Sequence, residues 1–159
     1  MQQKKGQKGF SLIELLIVVA IIGIIAAIAI PNLLASRRAA NEASAISVLR
    51  TIGTAESTYS STIGFGKYGD MTALKNAQLV DGAIAAANAA TALKSGYFFG
   101  ISGKDSYAAG YTSTATQGSS NNGSRNFISD EAGVIYAKTE NAQTELTATD
   151  GTGTSPIGN

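Results

Sequence analysis

The dominant feature of the chain is a long apolar stretch near its N-terminus. Residues 10–30 contain only two polar side chains, those of Ser11 and Glu14, and residues 15–30 are apolar without interruption. As an α-helix this stretch is about 31 Å long, which is about the thickness of the hydrocarbon core of a bilayer. The pattern therefore predicts a membrane-spanning helix.

The polar, alanine-rich segment 31–64 is predicted to continue this helix to about residue 62, since it has no proline after its first residue. Apolar residues recur along one side of it, as expected of a helix that packs on a sheet. This stripe consists of Val48, Leu49, Ile52, Tyr59 and Ile63. Glu56 lies inside the stripe, where it either marks the rim of the packing face or accepts a hydrogen bond from a tyrosine.

Residues 65–159 predict a small α+β head. Asp70 is expected to cap a short helix that reaches Leu79, and residues 82–93 form a second helix or a loop. Alternation of apolar and polar residues, with turn residues between the runs, predicts four short antiparallel strands. They cover residues 96–101, 106–112, 126–129 and 134–138. Polar segments predict a flexible loop at 112–124 and a flexible tail at 147–159. Within that loop, Asn122-Gly123-Ser124 matches a glycosylation acceptor, but a plain turn is the favoured interpretation.

The composition excludes several kinds of chemistry. The chain has no Cys and no His, so it has no thiol nucleophile, no imidazole base and no disulfide. With 12 Lys and Arg against 11 Asp and Glu, it carries too little positive charge for a dedicated nucleic-acid binder. No cofactor and no metal are expected, and residues 150–153 lack the ligand pattern of an EF-hand.

The flanking charges predict how the helix is oriented. Lys4, Lys5 and Lys8 precede it without any acidic residue, which keeps the N-terminus in the cytoplasm and sends the rest of the chain outward. Two ordinary interpretations are a secretory signal, cleaved at the pattern Ala27-Ile28-Ala29, and a plain single-pass anchor. Neither explains Glu14, because a carboxylate at the centre of a membrane helix costs about 2.5 to 3.5 kcal/mol, and less near an end.

Residues 8–16 read KGFSLIELL, which resembles the class III signal of type IV pilins and type II secretion pseudopilins. The resemblance covers about residues 6 to 31. It implies that a prepilin peptidase removes the cytoplasmic leader 1–9 after Gly9 and methylates the new amine of Phe10. It also implies that residues 10–30 are retained as a transmembrane and assembly helix.

The resemblance assigns roles to three further residues. Glu14 lies one helical turn after Phe10, and in the family this carboxylate pairs with the amine of a neighbouring subunit and fixes its register. Gly23 and Pro31 occupy places where the family has a glycine and a proline. They define a soft region that lets the filament stretch, or Pro31 simply marks the exit from the membrane. Arg37 and Arg38 are expected at the lipid headgroups or in ion pairs between subunits with Glu42.

The fold class implied is a long N-terminal helix, half membrane-spanning and half amphipathic, packed on a four-stranded antiparallel head. The function implied is that of a non-enzymatic pilin, which waits in the bacterial inner membrane and then joins a cell-surface filament of the kind used for adhesion and motility. Its expected partners are identical subunits, the peptidase and methyltransferase, the inner-membrane assembly platform and lipid. The alternatives are the major pseudopilin of a type II secretion system and a secreted periplasmic binding protein that begins near Ile30.

Overall fold

The computed structural model describes residues 9–139 and 155–157. The helices are α1 (Leu12–Thr62), α2 (Met71–Asn76) and α3 (Gly82–Ala86). The strands are β1 (Tyr97–Lys104), β2 (Gly110–Gln117), β3 (Asn126–Asp130), β4 (Ile135–Lys138) and β5 (Ser155–Pro156). The predicted α+β class, with a long N-terminal helix and an antiparallel sheet, is confirmed.

The chain divides into two compact units at the boundary between Ser36 and Arg37. The part up to Ser36 is called the N-terminal unit, and the part from Arg37 is called the head unit. Helix α1 contributes residues to both. Its predicted end near residue 62 is confirmed, since α1 ends at Thr62.

Within the head unit, α1 buries one face against the core. Its buried apolar residues recur every three or four positions, the spacing of one side of a helix. They are Ala45, Val48, Leu49, Ile52 and Ala55. Tyr59 packs at the edge of the same core, as predicted. The prediction for Ile63 is wrong, because the helix ends before it and its side chain is half exposed.

The sheet is a meander in which each strand pairs antiparallel with the next, in the order β1-β2-β3-β4-β5. One row of residues crosses four strands in register, running from Phe99 through Ala115 and Phe127 to Ala137. All four side chains are buried. The small side chain of Ala115 separates two phenylalanine rings, so the row fills the core without a clash.

The predictions for the second strand and for the loop after it are wrong over part of their length. Residues 105–109 form a turn in which Asp105, Ser106 and Tyr107 all have positive φ, so the strand begins only at Gly110. It then continues to Gln117, through residues that the sequence assigned to the loop 112–124. The polar side chains of this segment suggested a loop, but its threonines and Ser113 lie in a strand whose backbone pairs with β1 and β3.

The smaller elements follow the predictions in part. Asp70 caps α2 as expected, accepting a hydrogen bond from the Ala73 N–H at 2.7 Å, but α2 ends at Asn76 rather than at Leu79. Only Gly82–Ala86 of the segment 82–93 is α-helical. The tail prediction lies outside the described residues except at 155–157, where the unpredicted strand β5 pairs with β4.

Candidate functional site

The N-terminus of α1 is capped by one of its own side chains. The backbone N–H of Ser11 donates to Glu14 Oε2 at 2.8 Å, and the N–H of Leu15 donates to the Ser11 carbonyl at 3.3 Å. A serine followed three residues later by a glutamate that reaches back to the serine N–H is half of a capping box. The S-x-x-E spacing in the sequence signals this cap, which the sequence analysis missed.

The bond between Gly9 and Phe10 lies just before this cap, outside the helix. Phe10 is 87% exposed, and a side chain at Gly9 would meet nothing within 4 Å. Both residues of the predicted cleavage position are therefore open to an enzyme. Gly9 and Phe10 thus lie just before α1, and Glu14 lies in its first turn.

The helix that follows is apolar on every side. Its best 18-residue window has a mean hydropathy of 3.1 and is 0% buried, so it is long and apolar enough to cross a membrane. The exposed large apolar residues after Phe10 are Leu12, Ile13, Leu15, Leu16, Ile17, Val18, Val19, Ile21, Ile22, Ile24, Ile25, Ile28, Ile30, Leu33 and Leu34. A surface of this size requires lipid or another protein to cover it.

Gly23 and Pro31 both lie inside this continuous helix. A Cβ at Gly23 would meet no atom within 4 Å, so nothing within the described chain requires a glycine there. Pro31 has no N–H to donate to the preceding turn, which removes one hydrogen bond from the helix. Both residues therefore lower the intrinsic stability of the helix.

In the head unit, Glu42 holds the loop between β2 and β3. Its Oε1 accepts from the N–H and the hydroxyl of Ser124 at 2.8 and 2.7 Å, and its Oε2 accepts from Arg125 Nε and Nη2 at 3.0 and 2.7 Å. Burial acts to raise the pKa of Glu42, but the hydrogen bonds from Ser124 and Arg125 outweigh it and lower the pKa. Within the chain, Glu42 thus pairs with Arg125, and its pairing with Arg37 or Arg38 of another subunit stays a prediction.

Glu56 is fully buried in the same unit, and neither prediction for it is right. Its Oε2 accepts from the backbone N–H of Gly69 at 2.9 Å, which ties the loop after α1 back to the helix. Its Oε1 is buried and has no hydrogen-bond partner among the described residues. Burial raises the pKa of Glu56 to about 7; the Gly69 N–H opposes this shift and the charge of Asp70 adds to it.

Within residues 9–139 and 155–157, no group of three or more acidic side chains is placed to hold a metal ion. The described part combines a helix with an exposed apolar surface and a folded head unit with two buried glutamates. It defines a protein with an N-terminal helix that requires an apolar environment and a folded head.

Comparison with known proteins identifies the N-terminal segment more closely. Residues 4–30 match the family described as the prokaryotic N-terminal methylation motif. The chain is 66% identical over 38 residues to the type IV wide pilus major component PilA4 of Thermus thermophilus, which is 24% of this chain and 29% of that protein. It is 48% identical over 52 residues to the type IV major pilin protein PilA of Myxococcus xanthus, which is 33% of this chain and 24% of that protein.

A third relative is the type II secretion system core protein G of Aeromonas hydrophila, 40% identical over 45 residues, which is 28% of this chain and 32% of that protein. The matches thus span no more than about a third of each of these relatives. No solved structure matches the chain. The N-terminal segment of the chain is thus similar to those of type IV pilins and of a type II secretion core protein.

Proposed function

We propose that this protein is a type IV pilin, a structural subunit that polymerises through its N-terminal helix. The observation that carries the proposal is the helix surface itself, which is apolar on every side and 0% buried, and which follows directly on the methylation motif. Such a surface serves a subunit that passes from lipid to a bundle of identical helices, because both environments are apolar. The role is structural rather than enzymatic.

The proposed sequence of events begins in the bacterial inner membrane, with the N-terminus in the cytoplasm. A prepilin peptidase cuts between Gly9 and Phe10, where both residues are exposed, and the new Phe10 amine is methylated. An inner-membrane assembly platform then moves the subunit from lipid into the base of a filament, which ends on the cell surface.

Glu14 is proposed to guide docking. Its carboxylate caps the helix through the Ser11 N–H and, because a carboxylate accepts several hydrogen bonds, it can also accept the charged Phe10 amine of a neighbouring subunit. A charge pair is strong in an apolar surrounding and leaves the subunit unpaired in any other register. Gly23 and Pro31 are proposed to let the packed helix unwind locally when the filament is stretched.

The first test is the mass and N-terminal sequence of the protein isolated from its own membrane or from sheared surface fibres. We expect a chain that starts at N-methylated Phe10. A chain that starts near Ile30 would instead indicate a cleaved signal peptide and a soluble periplasmic protein. An uncleaved chain would indicate a plain membrane anchor, and either result would overturn the proposal.

A second test separates the two tasks of Glu14. In Glu14→Gln the side chain keeps an oxygen for the Ser11 N–H but loses its charge, whereas Glu14→Ala loses both. We expect both variants to be processed and neither to form filaments, as judged by electron microscopy of surface fractions. Normal filaments from Glu14→Gln would show that capping alone suffices and would disprove the charge pair.

The second candidate function is that of the major pseudopilin of a type II secretion system, which the match to core protein G favours. The two functions differ in what the cell loses when the gene is deleted. Loss of surface filaments with normal secretion of enzymes indicates a pilin. Loss of secretion with unchanged surface filaments indicates a pseudopilin.

A further inference from the structure

The head unit displays one aromatic side chain almost completely to solvent. Phe65 is 96% exposed, three residues after the end of α1. Its φ is 50°, a backbone conformation that a bulky side chain rarely adopts. An exposed ring and an unfavourable backbone both cost stability, so the folded chain alone gains nothing from this arrangement.

The turn that carries Phe65 is fixed by its neighbours. The N–H of Gly64 donates to the Tyr59 carbonyl at 2.8 Å, and a Cβ on Gly64 would collide with the Lys67 carbonyl oxygen. Gly66 has a φ of 88°, which favours glycine. Two glycines thus allow a tight turn in which the ring of Phe65 is exposed.

The same unit contains a groove of about 570 Å³ between α1 and the turn that joins β3 to β4. Buried apolar groups of Leu49, Tyr111 and Ile135 contribute to its lining, together with the charged side chains of Arg50 and Glu131. Thr54 and Ala132 are exposed lining residues. Gly53 also lines it and leaves space that a side chain would occupy. Phe65 does not line the groove of its own chain.

We propose that Phe65 of one copy inserts into this groove on the next copy in the filament, an inference that rests on the proposed function. The exposed ring of Phe65, here called the projection, and the groove are different patches of one unit. The contact is therefore heterologous, and every copy donates one ring and receives one. Contacts of this kind either close into a ring or extend into a helix, and between successive subunits of a filament they extend the helix.

The area of the contact explains why its occupant is a neighbour in the filament and not a free partner. A buried aromatic side chain contributes about 150–250 Å², whereas specific complexes that form alone bury about 1,200–2,000 Å². The contact therefore forms only where copies are already held together. The packed N-terminal helices supply the high local concentration that it needs.

Cross-linking tests this contact directly, because the chain contains no cysteine. The variant carries Phe65→Cys at the projection and Thr54→Cys at the groove, and sheared filaments are oxidised and separated on a denaturing gel. We expect a ladder of covalent multimers, since each copy bonds to the next. The matched control combines Phe65→Cys with Asn88→Cys, an exposed position outside the groove, and should remain monomeric.

Each outcome has a distinct meaning. Intact filaments without a ladder overturn the proposed contact and leave the pilin function standing, whereas absence of filaments from the wild-type protein overturns the function itself. Dimers from Phe65→Cys alone would show a two-fold contact between the rings and would also overturn the proposal.

Cysteine-free variants decide the matter if the cysteine pair blocks assembly. Phe65→Ser removes the ring without disturbing the core, and Gly53→Ala partly fills the groove with a Cβ that stays 3.4 Å from Tyr111 Oη. We expect each variant to dissociate several-fold faster in detergent than the wild type, and the double variant to be no faster than either. If Phe65→Ser filaments dissociate at the same rate as wild-type filaments, the proposal is overturned.

Discussion

The two parts of α1 show how the same secondary structure is stabilised in different ways. In the N-terminal unit the apolar side chains surround the helix, and all the large ones are exposed. In the head unit apolar residues recur every three or four positions, and they are buried against the rest of that unit. The one-sided pattern of the head unit is satisfied by packing within the chain. The all-round apolar surface of the N-terminal unit requires lipid or another protein to cover it.

The three glutamates of α1 follow the same division. The Glu14 carboxylate accepts a hydrogen bond from the Ser11 N–H, which lies next to the start of the helix. Glu42 and Glu56 are buried. Glu42 accepts a hydrogen bond from the distant loop between β2 and β3, and Glu56 accepts one from the loop that follows α1. Local contacts therefore define the helix in the N-terminal unit, and tertiary contacts define it in the head unit.

The largest expected effect comes from matched truncations in the two parts of the helix. Ile52→Ala removes a fully buried side chain and should destabilise the head unit by about 2–5 kcal/mol. Ile22→Ala removes a side chain that is 58% exposed and should change the same stability by less than about 0.5 kcal/mol. Thermal unfolding of both variants in detergent micelles, followed by circular dichroism, measures the difference.

Equal destabilisation by the two substitutions would show that the distinction between the units is wrong. It would mean that the apolar half of α1 contributes to the folding of the head. If Ile52→Ala is as stable as the wild type, the burial of the helix face that contains Ile52 is contradicted.

The next largest effect concerns the pH dependence of the head unit. Because the pKa of Glu56 is raised to about 7 in the folded chain, the folded state binds a proton that the unfolded state has released above about pH 4.5. The contribution of Glu56 is therefore most favourable below pH 4.5, and it is lost as the pH rises to about 7. At about 1.4 kcal/mol per pKa unit the loss is on the order of 3 kcal/mol.

Denaturant unfolding between pH 4 and 8 checks this, with Glu56→Gln as the variant that should lack the loss. Glu42→Gln is the matched control on the same helix. The pKa of the Glu42 carboxyl is lowered, so the contribution of Glu42 to stability is present above pH 4.5 and is lost as the pH falls further. The same pH profile in Glu56→Gln and the wild type would contradict the raised pKa.

Sequence patterns predicted the elements whose interactions are local. The apolar run and the spacing of Leu49 and Ile52 were sufficient for α1, and Asp70 identified the start of α2. Strand β3 was also placed closely, at residues 126–129 against Asn126–Asp130 in the structure. In each case the residues that decide the structure are neighbours in the chain.

Features that depend on distant residues were not predicted. Glu42 and Arg125 are 83 positions apart, and no local pattern pairs them. The threonines and the serine of β2 are typical of a loop, and only the strands on both sides supply partners for their backbone. Of the candidate site, the sequence identified Gly9, Phe10 and Glu14 as a group, but the bond from Glu14 to the Ser11 N–H emerged only from the geometry.

The smallest expected effect tests whether a weak point in the apolar helix has a mechanical purpose. Gly23→Ala meets no atom within 4 Å and should strengthen the helix by up to about 1 kcal/mol, with no effect on the melting of the head unit. If the segment unwinds when the filament is pulled, single filaments of this variant should need more force to extend. Adding Ala27→Gly, one turn further along the helix, should restore the compliance, because it returns a weak helix former to the same segment. Unchanged extension in Gly23→Ala would show that this glycine serves neither unwinding nor the softness of the filament.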